Sequence, residues 1–342
     1  MRGLARAWRP TAALLAMSLA TTAAIPSAQV SSASSEATLV TLTVIVSREG
    51  QPVPDLTAAD IVVLDNGVAQ PIEAFEYVDT ITGDSPEPPG DFVLVLDDLG
   101  TPPAGTSGAV LAALALVDAL GPHDRLAVVN TGPFPLIQQL STDRTASRTT
   151  IRQFLGQRDS SASRSEACRR SVVSLGVIEN ALKVMAQQPS TRRAMLVLSD
   201  IRRVYWGEVR EQKCSEARKV FDRVVAASSV AHVPIYGIDP RAQQASAEAV
   251  KPHPATVAVT KVRRPSDMPS GSLGALVRMT GGALTDAADG PHQLVRDTRQ
   301  YYRVVYRQPE VPRGSRNQVR QVDVRFRRPD VAVRARQLYP PS

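Results

Sequence analysis

The ten residues Phe92-Val93-Leu94-Val95-Leu96-Asp97-Asp98-Leu99-Gly100-Thr101 decide how the chain is read. Five apolar residues in an unbroken run have the pattern of a central parallel strand covered by helices on both faces. Acids placed directly after such a strand lie at the carboxyl edge of the sheet, where open α/β folds hold oxygen-ligand cations and anionic ligands. A second acid, Asp200, follows the apolar strand Ala194 to Leu198 through Ser199. If the two strands are neighbours, Asp97 and Asp200 can share one divalent ion.

Beyond this stretch, strands and helices alternate. The pattern predicts a helix over Thr106 to Leu120 and strands over Arg125 to Val129 and Leu136 to Gln139. Helices near Asp143 to Leu155 and Val172 to Ala186 follow, then the strand ending before Ser199. A long helix over about Glu208 to Ala231 precedes the strand Pro234 to Ile238. Pro240 to Pro269 has little hydrophobic periodicity and reads as a surface excursion. Helices over Ser272 to Met279, stopped by Gly281-Gly282, and over His292 to Arg299 close the series. This order argues for an α/β fold, a doubly wound and mostly parallel sheet.

The flanks have a different period. Thr38 to Ser47 alternates as a strand, Asp65-Asn66-Gly67 is a tight hairpin signal, and a strand runs from Ile72 to Tyr77. At the other end Tyr302 to Tyr306, Val322 to Phe326 and Val331 to Val333 alternate as well. Strands at both ends of the chain would be unpaired edges unless they pair with each other. The expected organisation is therefore a β module over 38–80, a proline-rich linker over 81–90 and the α/β domain over 91–300. The closing strands over 301–342 would complete the module.

Composition bounds the function. With 342 residues and 43% hydrophobic content the chain can bury a sizeable core. Residues 1–28 carry Arg2, Arg6 and Arg9, an apolar run from Ala12 to Ala20 and small residues near Ser27-Ala28, the make-up of a secretory signal peptide. That run is shorter than the roughly 18 uninterrupted apolar residues of a membrane span, so a secreted or periplasmic location without a transmembrane anchor is expected. The formal charge of +7 falls by the three arginines of that segment. Scattered arginines and only 4% aromatic residues argue against nucleic-acid binding. Cys168 and Cys214 are the only cysteines, and an oxidising compartment favours their pairing. Such a bond would close a loop of roughly 46 residues, worth about 3–4 kcal/mol in the chain-entropy account.

The chain resembles the von Willebrand factor A superfamily, and more narrowly the bacterial members with β segments on either side of the A domain. The resemblance rests on Gln51-Pro52-Val53-Pro54-Asp55-Leu56-Thr57-Ala58-Ala59-Asp60, the hairpin Asp65-Asn66-Gly67 continuing to Phe75, and the strand ending in Asp97. It also rests on Asp124-Arg125-Leu126-Ala127-Val128-Val129, Leu198-Ser199-Asp200 and Tyr301-Tyr302-Arg303-Val304-Val305-Tyr306. What it implies is an adhesion site of the form Asp-x-Ser-x-Ser, joined by a later Thr and Asp, around Mg²⁺ that an acidic group of a protein ligand completes. Asp97 matches the first acid, Thr101 stands for the last serine and Asp200 matches the late acid. Leu99 occupies the middle serine position and offers no lone pair, which makes the site degenerate. Ser160, Ser161 and Ser163 lie in the region of the missing threonine without one being singled out.

The resemblance implies a protein-binding module and not an enzyme. Its partner-facing residues would be Asp98, Asn130, Thr131, Arg202, Tyr205 and Trp206, from the loops after Asp97, around Asn130 to Pro135 and after Asp200. The rival is a hydrolase or phosphotransferase using Asp97 as nucleophile, since Asp-x-x-Gly-Thr after an apolar strand also echoes haloacid-dehalogenase-type enzymes. There an acid two residues on moves the proton, and Leu99 cannot do so. His123, His232, His253 and His292 form no metal-ligand pattern, and the chain has neither a Gly-x-x-x-x-Gly-Lys loop nor a Gly-x-Ser-x-Gly elbow.

Overall fold

Alternation builds the first module. In the computed structural model, which describes residues 39–81, 88–132, 137–159, 161–199, 214–239, 273–308 and 320–339, β1 (Leu39–Arg48) turns Leu42, Val44 and Val46 into a core and leaves Thr41 and Thr43 outside. Glu49 and Gly50, both at positive φ, return the chain to the short β2 (Gln51–Pro52). β3 (Ile61–Asp65) and β4 (Val68–Gln70) are joined by Asn66-Gly67, whose φ values of 49° and 81° match the paired positive values a two-residue hairpin of this hand requires. Pro71 has no N–H to give a ladder. Past it, β5 (Ile72–Asp79) joins a different sheet.

The α/β domain begins with β6 (Asp91–Leu96), buried along its whole length. α1 (Thr106–Ala119) buries Gly108, Ala109, Ala112, Ala113, Leu116 and Val117, a helical stripe whose small residues let it lie close on the sheet. β7 (Arg125–Asn130), β8 (Ile137–Ser141), α2 (Arg144–Arg152), α3 (Arg164–Ala186), β9 (Arg193–Leu198), α4 (Ser215–Ala231), β10 (Ile235–Ile238), α5 (Leu273–Thr280), β11 (Leu284–Thr285) and α6 (Gly290–Asp297) follow. The six strands lie in the order β11-β10-β9-β6-β7-β8, parallel except for β8 at one edge. Along β6, Val93 and Val95 enter the core under α3, α4 and α5, while Phe92, Leu94 and Leu96 enter the core under α1 and α6. The domain is thus doubly wound, with both faces of its sheet covered.

The chain leaves β6 toward β7 on one side and returns as β9 on the other. This reversal of strand order marks the place, outside the carboxyl ends of β6, β7 and β9, where open α/β sheets hold their ligands.

After the domain, β12 (Gln300–Arg307) inserts between β1 and β5, β13 (Arg320–Phe326) pairs with β3, β14 (Ala332–Ala335) with β1, and β15 (Leu338–Tyr339) with β13. The two ends of the chain therefore build one β module, as two sheets sharing a core of Leu42, Val44, Val63, Tyr302, Val304 and Tyr306. The Tyr302 hydroxyl donates to the carbonyl of Val53 at 2.6 Å. Asp65, at the end of β3, is buried between Tyr306 and Arg320.

Two helices differ from expectation. α3 begins eight residues before Val172, because its first two turns, Arg164 to Ser171, are polar and hide the periodicity. Ser163 caps it by accepting from the Glu166 amide at 3.3 Å. α2 ends at Arg152, three residues short of Leu155. The signal segment, the excursion over 240–269, Leu136 and the first turns expected of the helix from Glu208 lie outside the described residues. Among the described residues no helix is long and apolar enough to cross a membrane.

Candidate functional site

The rim at these strand ends is built around two consecutive carboxylates, Asp97 and Asp98. β6 and β9 run side by side with Leu96 opposite Leu198, and the Asp97 amide donates to the Leu198 carbonyl at 3.0 Å. The ends of these two strands therefore sit together at one rim. Asp200 itself lies outside the described residues, as do Arg202, Tyr205 and Trp206.

Asp97 is only 1% exposed. Its Oδ1 accepts from the hydroxyls of Thr131 and Ser174, each at 2.8 Å, and from the Gly100 amide at 3.0 Å. Its Oδ2 accepts from the Ser199 hydroxyl at 2.6 Å. Four donors thus converge from the loop after β6, the end of β7, helix α3 and the end of β9. Gly100 is required by this closeness, since a Cβ there would stand 2.0 Å from Asp97 Oδ2.

Asp98 is equally buried and turned to the β7 side. It accepts from the Thr131 amide at 3.0 Å, the Asn130 side chain at 3.2 Å and the Gln157 side chain at 2.9 Å. The Thr131 hydroxyl stands 2.9 Å from Asp98 Oδ1 and 2.8 Å from Asp97 Oδ1. A hydroxyl has one proton, so it serves one of the two acids at a time. Burial pushes the Asp98 carboxyl above its ordinary range; the Thr131 hydroxyl opposes this and the charge on Asp97 adds to it.

Asp98, Asn130 and Thr131, expected on a partner-facing surface, are instead interior: Asn130 is 7% exposed and the other two 1%. They clamp the loops at the rim to one another. Of the residues expected around a cation, Thr101 is fully buried beside Asp97, and its amide donates to the Asp97 carbonyl at 2.8 Å. Ser161 and Ser163 are engaged elsewhere, by Asp159 and by the cap of α3, and Ser160 lies outside the described residues. The hydroxyl that reaches Asp97 from this part of the chain is Ser174, which the sequence reading missed. Its signal was a serine at an apolar register position of α3, beside Leu175 and one turn before Ile178. Ser199, read only as a spacer before Asp200, is the other missed ligand of Asp97.

Mg²⁺ asks for nearly octahedral oxygen coordination at about 2.0–2.1 Å. Both oxygens of Asp97 accept from protein donors, three of them, from Gly100, Ser174 and Ser199, its own and the fourth, from Thr131, shared with Asp98. Leu99 brings no oxygen. Thr101 Oγ1 is the hydroxyl of this cluster that has no hydrogen-bond partner. Among the described residues no group of three His, Cys, Asp or Glu side chains is placed to hold a metal. The described part of the rim thus offers one carboxylate and the hydroxyls of Thr101, Thr131, Ser174 and Ser199 as oxygen donors, with none from Leu99.

Cys168, one turn into α3, and Cys214, just before α4, are joined by a disulfide with their Cα atoms 5.8 Å apart.

No family model matches the chain, and no curated protein matches it. Among solved structures it is similar to the von Willebrand factor domain of the type V pili tip protein Mfa5 from Porphyromonas gingivalis. That match has 18% identity over 33% of this chain and 38% of that one, with a TM-score of 0.25. It is also similar to an aerotolerance-related membrane protein from Bacteroides fragilis, at 13% identity over 61% of this chain and 97% of that one, TM-score 0.34. A von Willebrand factor type A structure from Catenulispora acidiphila shares 10% identity over 89% of this chain and 72% of that one, TM-score 0.34.

Proposed function

We propose that the chain is an exported, non-catalytic protein-binding module of the von Willebrand factor A type, whose rim at the carboxyl ends of β6, β7 and β9 meets a protein partner without a bridging cation. The observation that carries this reading is the enclosure of Asp97. A nucleophilic carboxylate needs a free oxygen lone pair and room for in-line approach, whereas both Asp97 oxygens are occupied by protein donors in the interior. A carboxylate held in this way is a fastening. It fixes the loop after β6, the end of β7 and the start of the loop after β9 in one arrangement, and a preformed rim gives a binding surface affinity at low ordering cost. The partner would touch residues outside the hub, among them Pro103 and Ala104, which are exposed just beyond Thr101.

Export accords with the disulfide, since such bonds persist in oxidising compartments. The test is a pair of measurements on the mature protein. Capture of a partner from the cell envelope should be lost in Ala104→Arg, a surface change that leaves the hub intact. Turnover of a generic phosphoester should be absent. Phosphoester turnover that disappears in Asp97→Asn would instead establish the enzyme reading.

A further inference from the structure

The second unusual site is at the opposite end of the strands from Asp97. A cleft separates the outward face of β1 from the amino ends of β9 and β10, and it is lined by Thr41, Thr43, Arg193, His232, Tyr301 and Arg336 among others. Three arginines among the described residues are buried: Arg192, Arg320 and Arg336. Arg192 is paired with Asp124 and Arg320 with Asp65. Arg336, 8% exposed, has no carboxylate partner among the described residues; its Nη1 donates to the Ser228 hydroxyl at 3.4 Å and its guanidinium lies 5.9 Å from the Tyr339 ring centroid.

Among the described residues that line the cleft, none gives Arg336 a free negative charge. Tyr339 is pushed up to about 12 by burial, so its hydroxyl stays neutral. Asp297 also lines the cleft, yet it is taken by the Tyr236 hydroxyl at 2.9 Å and by Arg334 at 2.7 Å. Arg193 adds a second cation whose donors go to the backbone carbonyls of Ala231, at 2.9 Å, and Gln188, and whose Nε is buried without a partner. His232, in left-handed conformation at the end of α4, stands at the cleft as well. Burial pushes its imidazole down, and the charges of Arg336 and Arg193 push it further. A buried cation without a counter-charge is costly, and a pocket that gathers such cations stabilises an anion entering it.

We propose that this cleft binds a compact oxyanion, a carboxylate, sulfate or phosphate group, with Arg336 as the buried counter-charge and Arg193 and His232 beside it. Arg336 comes from the β module, whereas Arg193, His232 and Ser228 come from the α/β domain. An anion bound here therefore also fastens module to domain.

The test is calorimetry and thermal unfolding of the full mature chain with sodium phosphate, sodium sulfate and sodium acetate, each against sodium chloride at equal ionic strength. At least one of the three should bind saturably and raise the unfolding midpoint above the chloride control. A response to phosphate and sulfate alone assigns a tetrahedral anion, and a response to acetate assigns a carboxylate such as a peptide offers. Arg336→Met should weaken binding at least tenfold, and His232→Asn, which keeps a residue tolerant of the left-handed conformation, several-fold. Should Arg336→Met not fold, Arg193→Gln combined with His232→Asn makes the same measurement from the wall of the cleft. Silence toward all three anions, or binding that survives these substitutions unchanged, overturns the proposal.

Discussion

The two ends of β6 treat buried acids in opposite ways. At the amino end, Asp91 accepts from Nε and Nη2 of Arg125, each at 2.7 Å, and Asp124, just before the neighbouring strand, is held by Arg192 and by the amides of Gly90 and Gly121. There each negative charge meets a positive one. At the carboxyl end, the donors reaching Asp97 and Asp98 among the described residues are hydroxyls, side-chain amides and backbone N–H groups, so the charge is solvated and not cancelled. The first end is therefore a structural joint, while the second is a rigid scaffold on which loops are hung. The two ends should therefore respond differently to substitution.

The largest effect is expected at the amino end. Arg192→Met strips the nearer guanidinium from a buried carboxylate and should cost up to about 3–5 kcal/mol, because only Arg299, at 3.8 Å, and two backbone amides then remain to Asp124. Urea unfolding measures it, as a lower midpoint with an unchanged slope. Asp97→Asn should cost less, about 1–2 kcal/mol, since only neutral groups are left to rearrange and the Ser199 hydroxyl can rotate to accept from the new amide. If Asp97→Asn proves the more destabilising of the two, the contrast between the two ends of the strand is wrong.

The strands were legible in the sequence because burial on two faces leaves an uninterrupted apolar run, as in Phe92 to Leu96, and burial on one face leaves alternation, as in Thr38 to Ser47. The meeting of the chain's two ends was legible from the same alternation. The hub was legible only in part. Asp97 could be placed from its position after β6, but Ser174 lies 77 residues away and Gln157 59 residues from Asp98. Contacts of that separation depend on how helices are laid on the sheet, which local pattern does not encode. For the same reason Asp98, Asn130 and Thr131 looked like surface groups at a loop and are interior. Arg336 gave no signal either, as an arginine among many near the end of the chain.

A subtler effect separates the two acids of the hub from each other. Asp98 has a folded-state pKa raised above its ordinary 3.8, so the native state binds more protons than the unfolded chain between those two values. Stability should then fall as pH rises through that window and level off above it. Asp98→Asn does not titrate, so wild type minus variant should decline over the same window. Glu166, drawn down to about 2 by Arg169 and Arg170 on the first turn of α3, has the opposite sign: its contribution is present above 4.5 and lost as pH falls toward 2. Unfolding of wild type, Asp98→Asn and Glu166→Gln from acid to neutral pH checks both signs. A wild type that gains on Asp98→Asn with rising pH would mean that its donors outweigh burial.

The smallest expected effect is none. A ligand that binds only the native state adds RT ln(1 + [L]/Kd), about 2.7 kcal/mol at a hundred times Kd, so millimolar Mg²⁺ at a working adhesion site would raise the unfolding midpoint measurably. Here the Asp97 oxygens already accept from Gly100, Ser174 and Ser199 and share Thr131 with Asp98, and Leu99 adds no oxygen, so the midpoint should not move beyond a sodium chloride control. Leu99→Ser supplies an oxygen at the vacant ligand position yet leaves the four donors on Asp97 in place, so it too should stay silent. A midpoint that rises with Mg²⁺ in the wild type and not in Asp97→Asn would show that the hydroxyls turn outward to share a cation, and that the solvated charge at this end of β6 is held in reserve for one.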